Sequence, residues 1–347
     1  MSMKAKILEL LREKKDRVAA GAPESEAYVS GQELCEQFGV SRTAVWKAIG
    51  QLKKEGYVIE AVQNRGYRLL DQTEDVYNQA DIQSRLKTKW VAHPLQFFDS
   101  IDSTNIRAKL EAEQGAESGL LVVSDMQSAG RGRRGRGWES PAGTNIYYTL
   151  MLKPDFSSDC APMLTLVMAL AVAKGIRQTL RRDSEEAAAK VGIKWPNDIV
   201  VDGKKVCGIL TEMSMEQGYI QHIVIGVGIN VRKQEFPEEI RDRAAAIDEQ
   251  CGFRISRSQL IADIMEAFEE DYEIFLRTHD LKGLRASYAE LLVNQDREVC
   301  VLDPKGEYRG IARGINDQGE LLVERQDGTV EEVYAGEVSV RGIYGYV

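Results

Sequence analysis

The chain has 347 residues, which is too long for one compact core and predicts about two or three domains. Hydrophobic residues make up 43% and charged residues 29%, which excludes a disordered or fibrous protein. The net charge of −9 is uneven, because residues 1–70 carry 12 Lys and Arg against 9 Asp and Glu. A basic head on an acidic body predicts nucleic-acid contact at one end only.

Several function classes are disfavoured by what the sequence lacks. There is no run of 18 apolar residues and no apolar leader, so we expect no membrane span and a cytoplasmic protein. The five scattered cysteines form no C-x-x-C pair, and the three histidines form no H-E-x-x-H, so disulfides and structural zinc are not expected. Neither G-x-S-x-G nor a Walker A sequence occurs, which disfavours a hydrolase elbow and a P-loop.

The basic head has the pattern of a winged helix-turn-helix. Helical periodicity covers 4–18, and 19–29 is read as a loop. A capping box at Ser30 opens a second helix that ends at Gly39, and Ser41 caps a third helix that ends near Gly56. Strands at 57–61 and 66–70 would form the wing, with Arg65 and Arg68 on it. This unit is predicted to span 1–72.

The third helix is predicted to enter a DNA major groove. Its apolar positions form a buried face, while cations and hydroxyls project elsewhere. We expect base-edge and phosphate contacts from these residues: Ser41, Arg42, Thr43, Lys47 and, on the wing, Arg65. The alternative is a helix-turn-helix that contacts protein, which the basic balance of the head disfavours.

The body is predicted to be an α+β domain over 85–290, after an acidic linker at 73–84. Strands are expected at 95–101, 119–126, 144–152, 193–201, 205–215 and 219–231. Helices are expected at 104–113, 161–182 and 256–278, with an Ala/Glu loop after the second. Short strands separated by turns at Asp303-Pro304, Asn316-Asp317 and Asp327-Gly328 predict a small β-barrel over 291–347.

The strongest local signal is an Arg/Gly loop that runs from Gly130 to Trp138. It contains G-x-G-x-x-G, but Gly137, Pro141 and Gly143 would prevent the helix that a dinucleotide site requires. Glycine lets backbone N–H groups approach a phosphate, and arginine binds phosphate with two parallel hydrogen bonds. The loop therefore predicts an anion site. The alternative, an RNA-binding Arg/Gly patch, usually needs repeats in a disordered tail.

Three further motifs carry candidate chemistry. After Lys194-Trp195-Pro196-Asn197-Asp198, Lys205 opens a strand and suits a phosphate or a developing oxyanion. In Asp102-Ser103-Thr104-Asn105, spacing favours Ser103 as a helix N-cap, and the alternative is a group of neutral hydrogen-bonding side chains for an uncharged polar ligand. Gly226-Val227-Gly228-Ile229-Asn230 predicts close backbone approach to a neighbour, or simply tight packing.

In their order these motifs resemble the bifunctional biotin protein ligase and biotin operon repressor family. The similarity covers the winged helix-turn-helix, D-S-T-N, Q-S-A-G-R-G-R-R-G-R, K-W-P-N-D, G-K-K-V-C-G-I-L-T-E, G-V-G-I-N and the terminal barrel. It implies a catalytic domain similar to class II synthetase cores and an SH3-like C-terminal barrel. The implied activity uses biotin and Mg-ATP to form biotinyl-5'-AMP. Biotin then passes to a lysine of a carboxylase carrier domain.

The same resemblance assigns roles to individual residues. Lys205 and Arg133 are implied as catalytic. The implied biotin-binding residues are Ser103, Thr104, Asn105, Gln127, Arg131, Gly132, Arg133 and Lys205. The implied nucleotide-binding residues are Arg131, Arg133, Arg134, Trp138, Asn197 and Asn230. Metal ligands are not specified, although the carboxylates of Asp198 and Glu212 lie nearby in sequence. The family's adenylate-ordering loop has no residue-by-residue match in 232–247.

The resemblance also implies partners. These are operator DNA, the carboxylase carrier domain, and a homodimer promoted by biotinyl-5'-AMP as corepressor. Three alternatives stay open at this point. One is a related ligase for lipoate or an octanoyl group, the second is a ligand-sensing transcription factor without ligase activity, and the third is a ligase whose DNA-binding domain is not used.

Overall fold

The computed structural model describes residues 1–71, 75–302 and 306–334, and the backbone of 339–342. The chain divides into two compact units: Met1–Leu86 with Ser256–Gln259, and Lys87–Ile255 with Leu260–Val347. The domain boundaries that we predicted from the sequence stay predictions.

The first unit is a winged helix-turn-helix, as predicted. Its elements are α1 (Met3–Ala19), α2 (Gly31–Phe38), α3 (Arg42–Lys54), α4 (Gln79–Gln83) and an antiparallel hairpin of β1 (Ile59–Val62) and β2 (Gly66–Leu69). Ser30 and Ser41 cap α2 and α3 by accepting hydrogen bonds from Glu33 N and Ala44 N. A Cβ at Gly66 would lie 2.1 Å from Val29 O, so the wing needs glycine there. Apolar faces of α1, α2 and α3 form the core.

Helix α4 lies in the segment that we expected to be a linker, 73–84. Asn78 caps it by accepting a hydrogen bond from Asp81 N at 2.9 Å. The carboxylate of Asp81 is buried, and it accepts from Tyr57 Oη at 3.0 Å and pairs with the guanidinium groups of Arg12 and Arg85. The part of the expected linker at 73–74 lies outside the described residues.

The second unit is built on a seven-stranded sheet in the order β3-β4-β5-β9-β8-β7-β6. These strands are β3 (Leu95–Phe98), β4 (Leu121–Ser124), β5 (Ile146–Leu152), β6 (Val191–Lys194), β7 (Asp198–Val201), β8 (Lys204–Glu216) and β9 (Tyr219–Ile229). Only β3 and β4 pair in parallel; the other neighbours are antiparallel. The helices are α5 (Thr104–Glu113), α6 (Met163–Arg181), α7 (Glu185–Ala189), α8 (Ile247–Cys251), α9 (Arg257–Phe275) and α10 (Arg285–Leu291). The mixed sheet confirms the predicted α+β class.

Two expectations about this unit were wrong. The single strand at 193–201 is an antiparallel pair, β6 and β7, because the segment Trp195-Pro196-Asn197 turns the chain. The Ala/Glu loop contains α7, because Ser184 Oγ accepts from Ala187 N at 3.1 Å and alanine favours helix. Helices α8 and α10 were not predicted.

Helix α6 forms the central layer against the sheet. Among the described residues, the stretch Ser158–Arg181 is long and apolar enough to cross a membrane, yet 72% of its most apolar window is buried inside the protein. It is therefore accounted for as a core helix.

The last strands form a five-stranded antiparallel sheet in the order β13-β12-β11-β10-β14. They are β10 (Glu298–Leu302), β11 (Tyr308–Ile315), β12 (Leu321–Glu324), β13 (Val330–Val333) and β14 (Ser339–Gly342). Alternating buried residues such as Val299, Val301, Leu321 and Val323 form its core. This confirms the small C-terminal β domain, although the predicted turn at Asp303-Pro304 lies outside the described residues.

Candidate functional site

The second unit contains a cavity of about 360 Å³. Its walls come from the start of α5, the Arg/Gly loop, the β6–β7 turn and strands β8 and β9. Seven cationic side chains line it among the described residues: Arg131, Arg133, Arg134, Arg136, Lys194, Lys205 and Arg243. Asp198 is the acidic residue in this lining. So strong an excess of cations favours an anionic ligand.

One part of the cavity is neutral and rich in hydrogen-bonding groups. Ser103 occupies the N-cap position of α5, as its spacing predicted, but its hydroxyl makes no capping hydrogen bond. Thr104 donates its N–H to Gln127 Oε1 at 2.9 Å, and its hydroxyl lies 3.1 Å from the same oxygen. Gln127 donates from Nε2 to Ser140 Oγ at 3.0 Å. These groups suit an uncharged polar ligand.

Asn105 forms the floor of this neutral part. It is buried, donates from Nδ2 to Glu212 Oε2 at 2.7 Å and accepts from Thr149 Oγ1 at 2.6 Å. A Cβ at Gly226 would lie 2.1 Å from Asn105 Oδ1. The glycine in β9 is therefore required for Asn105 to pack against the strand.

Trp138 lies over the glycines of β8 and β9. A Cβ at Gly228 would lie 2.5 Å from the indole, and one at Gly208 would lie 2.9 Å from it. These approaches confirm the prediction that glycine in this strand marks a close contact. The buried Nε1 of Trp138 has no hydrogen-bond partner in the part of the chain that the structure describes. A ligand oxygen would satisfy this N–H.

The Arg/Gly loop is a narrow hairpin rather than the start of a helix. Arg131 pairs with Gly137, and a 3₁₀ turn covers Arg133–Gly135, where Arg134 has a φ of +57°. This confirms that the loop is not a dinucleotide fingerprint. The guanidinium of Arg133 donates to Asn197 Oδ1 at 2.8 Å. Burial lowers the pKa of Arg133, and the nearby Asp198 carboxylate opposes this effect.

Lys205 is held at the centre of the cationic part. Its Nζ lies 2.5 Å from Asp198 Oδ1 and 5.6 Å from the centroid of the Trp138 ring. Its backbone N–H donates to Arg243 O at 2.7 Å, and its carbonyl accepts from Ala245 N at 2.9 Å. Arg243 also lines the cavity, although no motif in the sequence identifies it.

The acidic residues argue against a metal site built by the protein alone. Among the described residues, no group of three or more His, Cys, Asp or Glu could hold a metal ion. Glu212, a candidate ligand from the sequence, is bound to Asn105 and to Lys109 Nζ at 2.7 Å. Of the acidic residues that the structure describes, Asp198 lines the cavity without a second carboxylate, which fits Mg²⁺ that enters on the phosphates of a nucleotide. Asn230 lines the same cavity from the end of β9.

The start of α3 presents the residues that we predicted to contact DNA. Thr43 and Lys47 are exposed, while Arg42 donates to Gln32 Oε1 at 3.0 Å. Trp46, which the sequence analysis missed, is 68% exposed on the same helix.

The wing presents one of its two arginines. Arg65 is exposed, with its guanidinium 5.7 Å from the centroid of the Tyr28 ring. Arg68 instead pairs with Glu60 at 2.6 Å and with Glu24 at 3.1 Å. Both arginines therefore lie on the predicted hairpin, and the two carboxylates offset the charge of Arg68.

Family models match three parts of the chain. The model of the Biotin/lipoate A/B protein ligase family matches residues 97–230, an HTH domain matches 24–68, and a Biotin protein ligase C terminal domain matches 296–341. The first match contains the neutral part of the cavity, the Arg/Gly loop and Lys205.

Relatives match nearly the whole chain. The bifunctional ligase/repressor BirA of Bacillus subtilis is 36% identical over 94% of this chain and 98% of its own. The protein of the same name from Escherichia coli is 32% identical over 90% of this chain and 92% of its own. A solved structure of a biotin protein ligase from Aquifex aeolicus, in complex with biotin and ATP, is 28% identical with a TM-score of 0.61. It covers 72% of this chain and 98% of that one.

Proposed function

The chain belongs to the family of bifunctional biotin protein ligase/repressors, and we propose how its own residues carry out that function. It is an ATP-dependent biotin–[acetyl-CoA-carboxylase] ligase that forms biotinyl-5'-AMP from biotin and Mg-ATP and transfers biotin to a lysine of a carboxylase carrier domain. It is also a biotin-responsive transcriptional repressor that binds operator DNA.

One observation carries the assignment of the site. A neutral hydrogen-bonding region and a dense group of cations share one cavity. Biotin has a neutral cyclic urea at one end and a carboxylate at the other, and the carboxylate must meet a triphosphate. We assign the urea to Ser103, Thr104, Asn105 and Gln127. This orientation leaves the carboxylate facing Lys205.

The first step joins two anions, and the cations make this possible. A carboxylate oxygen of biotin attacks the α-phosphorus of ATP, and pyrophosphate leaves with the electron pair of the broken P–O bond. Lys205 offers a point charge to both the carboxylate and the α-phosphate, and Arg133 adds a second. Mg²⁺ that arrives with ATP would neutralise the leaving pyrophosphate, with Asp198 the carboxylate within the cavity.

The nucleotide is assigned to the part of the cavity under Trp138. The indole N–H, which has no partner among the described residues, and the side chains of Asn197 and Asn230 supply polar groups to it, and Arg131 and Arg134 also line the cavity. With Gly132, the same arginines would cover the bound adenylate. A cover of this kind excludes water from a mixed anhydride that water would otherwise hydrolyse.

In the second step the amine of the acceptor lysine attacks the carbonyl carbon of the anhydride. AMP leaves with the electron pair, and the amine loses a proton as the amide forms. No enzyme nucleophile is required, so positioning and charge stabilisation account for the catalysis. Mass spectrometry of an isolated carrier domain after incubation with the enzyme, biotin and Mg-ATP tests this: one biotin on one lysine is expected.

The repressor function is assigned to α3 and the wing. We assign DNA contacts to Ser41, Arg42, Thr43, Lys47 and Arg65, and we add Trp46 because it is 68% exposed beside them. A dimer promoted by biotinyl-5'-AMP would place two α3 helices on a palindromic operator. Sedimentation with and without biotin and ATP tests this, and an unchanged monomer that binds operator equally well would contradict it. A cytoplasmic location belongs to the same proposal.

The three alternative functions are each disfavoured by a feature of the site or of the comparisons. A lipoate or octanoyl ligase has no use for neutral hydrogen-bonding groups in the cavity, because those acyl chains end in apolar atoms. A sensor without ligase activity would not need the cations around Lys205. A ligase with an unused DNA-binding domain is disfavoured, because relatives named ligase/repressor match 94% of the chain and an HTH domain matches residues 24–68.

A further inference from the structure

Glu212 has no contact with substrate in the reaction described above, yet its carboxylate ends a hydrogen-bond chain that reaches the cavity. Its Oε2 accepts from Asn105 Nδ2 and its Oε1 accepts from Lys109 Nζ, both at 2.7 Å. The Glu212 side chain is 30% exposed, while Asn105 is 5% exposed. A charged residue of β8 therefore makes direct contact with the buried floor of the neutral region.

The carboxylate fixes the orientation of the Asn105 amide. An ionised carboxylate can only accept hydrogen bonds, so the NH₂ of Asn105 must face Glu212. Its Oδ1 must then face the Thr149 hydroxyl, 2.6 Å away. A glutamine at position 212 would lose this constraint, since it could also donate.

The orientation of the Asn105 amide determines which hydrogen-bonding role is left to Thr104. The one hydroxyl proton of Thr149, which is fully buried, is used in the bond to Asn105 Oδ1. Thr149 can then only accept from the Thr104 hydroxyl, 2.9 Å away. Thr104 gives its own proton either to Thr149 or to Gln127 Oε1 at 3.1 Å. Either way, Thr104 has only lone pairs left for a ligand in the cavity.

We propose that Glu212 is a positioning residue that sets the direction of this chain, so that Thr104 offers a hydrogen-bond acceptor to a ligand N–H. The inference rests on the proposed function, in which the urea of biotin occupies this region. The urea ring carries N–H groups, and the ring of lipoate carries none. Glu212 would thus contribute to the choice of substrate without touching it.

The surroundings keep Glu212 ionised. Burial raises the pKa of its carboxyl, but hydrogen bonds from Lys109 and Asn105, together with the charges of Lys109 and Arg131, outweigh burial and hold the pKa below its usual value. The carboxylate is therefore an acceptor at neutral pH.

The test is Glu212→Gln, with the biotin Kd measured by calorimetry without ATP and kcat measured at saturating biotin. In this variant the side-chain amides of residues 105 and 212 can both rotate, which allows the donors and acceptors along the hydrogen-bond chain to exchange roles. We expect the Kd of biotin to rise roughly 10-fold, about the contribution of one hydrogen bond. The preference for biotin over lipoate should fall by the same factor, while kcat and the KM for ATP stay the same.

Two further variants distinguish the loss of hydrogen-bond orientation from a nonspecific disruption of the site. Lys109→Met removes the other partner of Glu212 and leaves Asn105 untouched, so at about pH 8, where the carboxyl is ionised without Lys109, the Kd should be unchanged. The double variant Asn105→Asp with Glu212→Gln exchanges donor and acceptor within the pair, and the introduced carboxylate again accepts from Thr149. Because Asn105 is itself assigned to the urea, the comparison is with Asn105→Asp alone, and the double variant should bind biotin more tightly than that single variant. A double variant no tighter than Asn105→Asp alone would overturn the proposal.

Thr104→Val distinguishes failure of this inference from failure of the site assignment. If Thr104→Val binds biotin normally, the urea does not lie in this region and the site assignment fails. If Thr104→Val weakens biotin but Glu212→Gln does not, the assignment stands and the role of Glu212 is refuted.

Discussion

Replacing Gly226 by alanine should damage biotin binding more than any other property of the enzyme. The new Cβ would lie 2.1 Å from Asn105 Oδ1 and 2.9 Å from its Cγ. Real contacts of this kind are longer, so Asn105 must move by about 1 Å. A displacement of that size in a positioned group can cost about 100-fold in rate. The added methyl group in a packed site should also lower the free energy of unfolding by about 1–3 kcal/mol.

The assay is pyrophosphate release, with biotin varied at saturating ATP and then ATP varied at saturating biotin. For Gly226→Ala we expect kcat/KM for biotin to fall about 100-fold, with little change in KM for ATP. Gly228→Ala is the matched variant two residues along β9, because its Cβ would lie 2.5 Å from the Trp138 indole. For Gly228→Ala we expect kcat/KM for ATP to fall more than kcat/KM for biotin.

Gly50→Ala is the control, since a Cβ at this position in α3 meets nothing within 4 Å. Its ligase kinetics should match those of the unaltered enzyme. Equal losses for both substrates in Gly226→Ala and Gly228→Ala, with unchanged stability, would refute the division of the cavity into a biotin part and a nucleotide part.

Three other predictions follow from the same geometry. Lys205→Ala should lower the rate of adenylate formation about 10²–10³-fold with the fold retained, and near-normal adenylation would remove Lys205 from its assigned role. Lys47→Ala should weaken binding to operator DNA and to random DNA about equally, and it should reduce the slope of log affinity against log salt by about 1. Weaker binding to operator DNA alone would instead indicate that Lys47 contacts a base. The Glu212 carboxyl has a pKa below the ordinary value of 4.5, because hydrogen bonds from Lys109 and Asn105 outweigh the effect of burial. Its contribution to stability and biotin affinity is therefore complete above that value and is lost as the pH falls through the lowered pKa. When biotin affinity is measured at decreasing pH, protonation of Glu212 should have no effect down to about pH 5. Below that pH its protonation should lower the affinity further, and this pH-dependent loss should be absent in Glu212→Gln.

The sequence predicted what depends on local pattern. Ser30 and Ser41 cap their helices because side-chain oxygens next to the first turn satisfy its unpaired N–H groups, which is a rule of spacing. The Arg/Gly loop was predicted not to be a dinucleotide site because glycine and proline cannot continue a helix, and the structure has a hairpin there. Glycine at 226 and 228 predicted close approach, and both positions have it.

What the sequence could not supply depends on contacts between distant residues. Ser103 has the spacing of a cap, yet its hydroxyl makes no cap bond, and nothing local reveals this. Arg243 reaches the cavity because residues 243–245 pair with the backbone of Lys205, about 40 residues away in sequence. Glu212 was a candidate metal ligand by its place in the sequence, but the sequence could not predict its hydrogen bonds to Asn105 and Lys109. Helix α7 was missed because five residues are too few to show periodicity.

The central claim is that one cavity binds biotin through a neutral region and activates its carboxylate among cations. ATP–pyrophosphate exchange with biotin, with lipoate as the control acid, tests this claim most directly. Exchange that depends on biotin, is absent with lipoate and is lost in Lys205→Ala is the predicted result. Exchange that is equal with both acids, or that survives Lys205→Ala, would contradict the account.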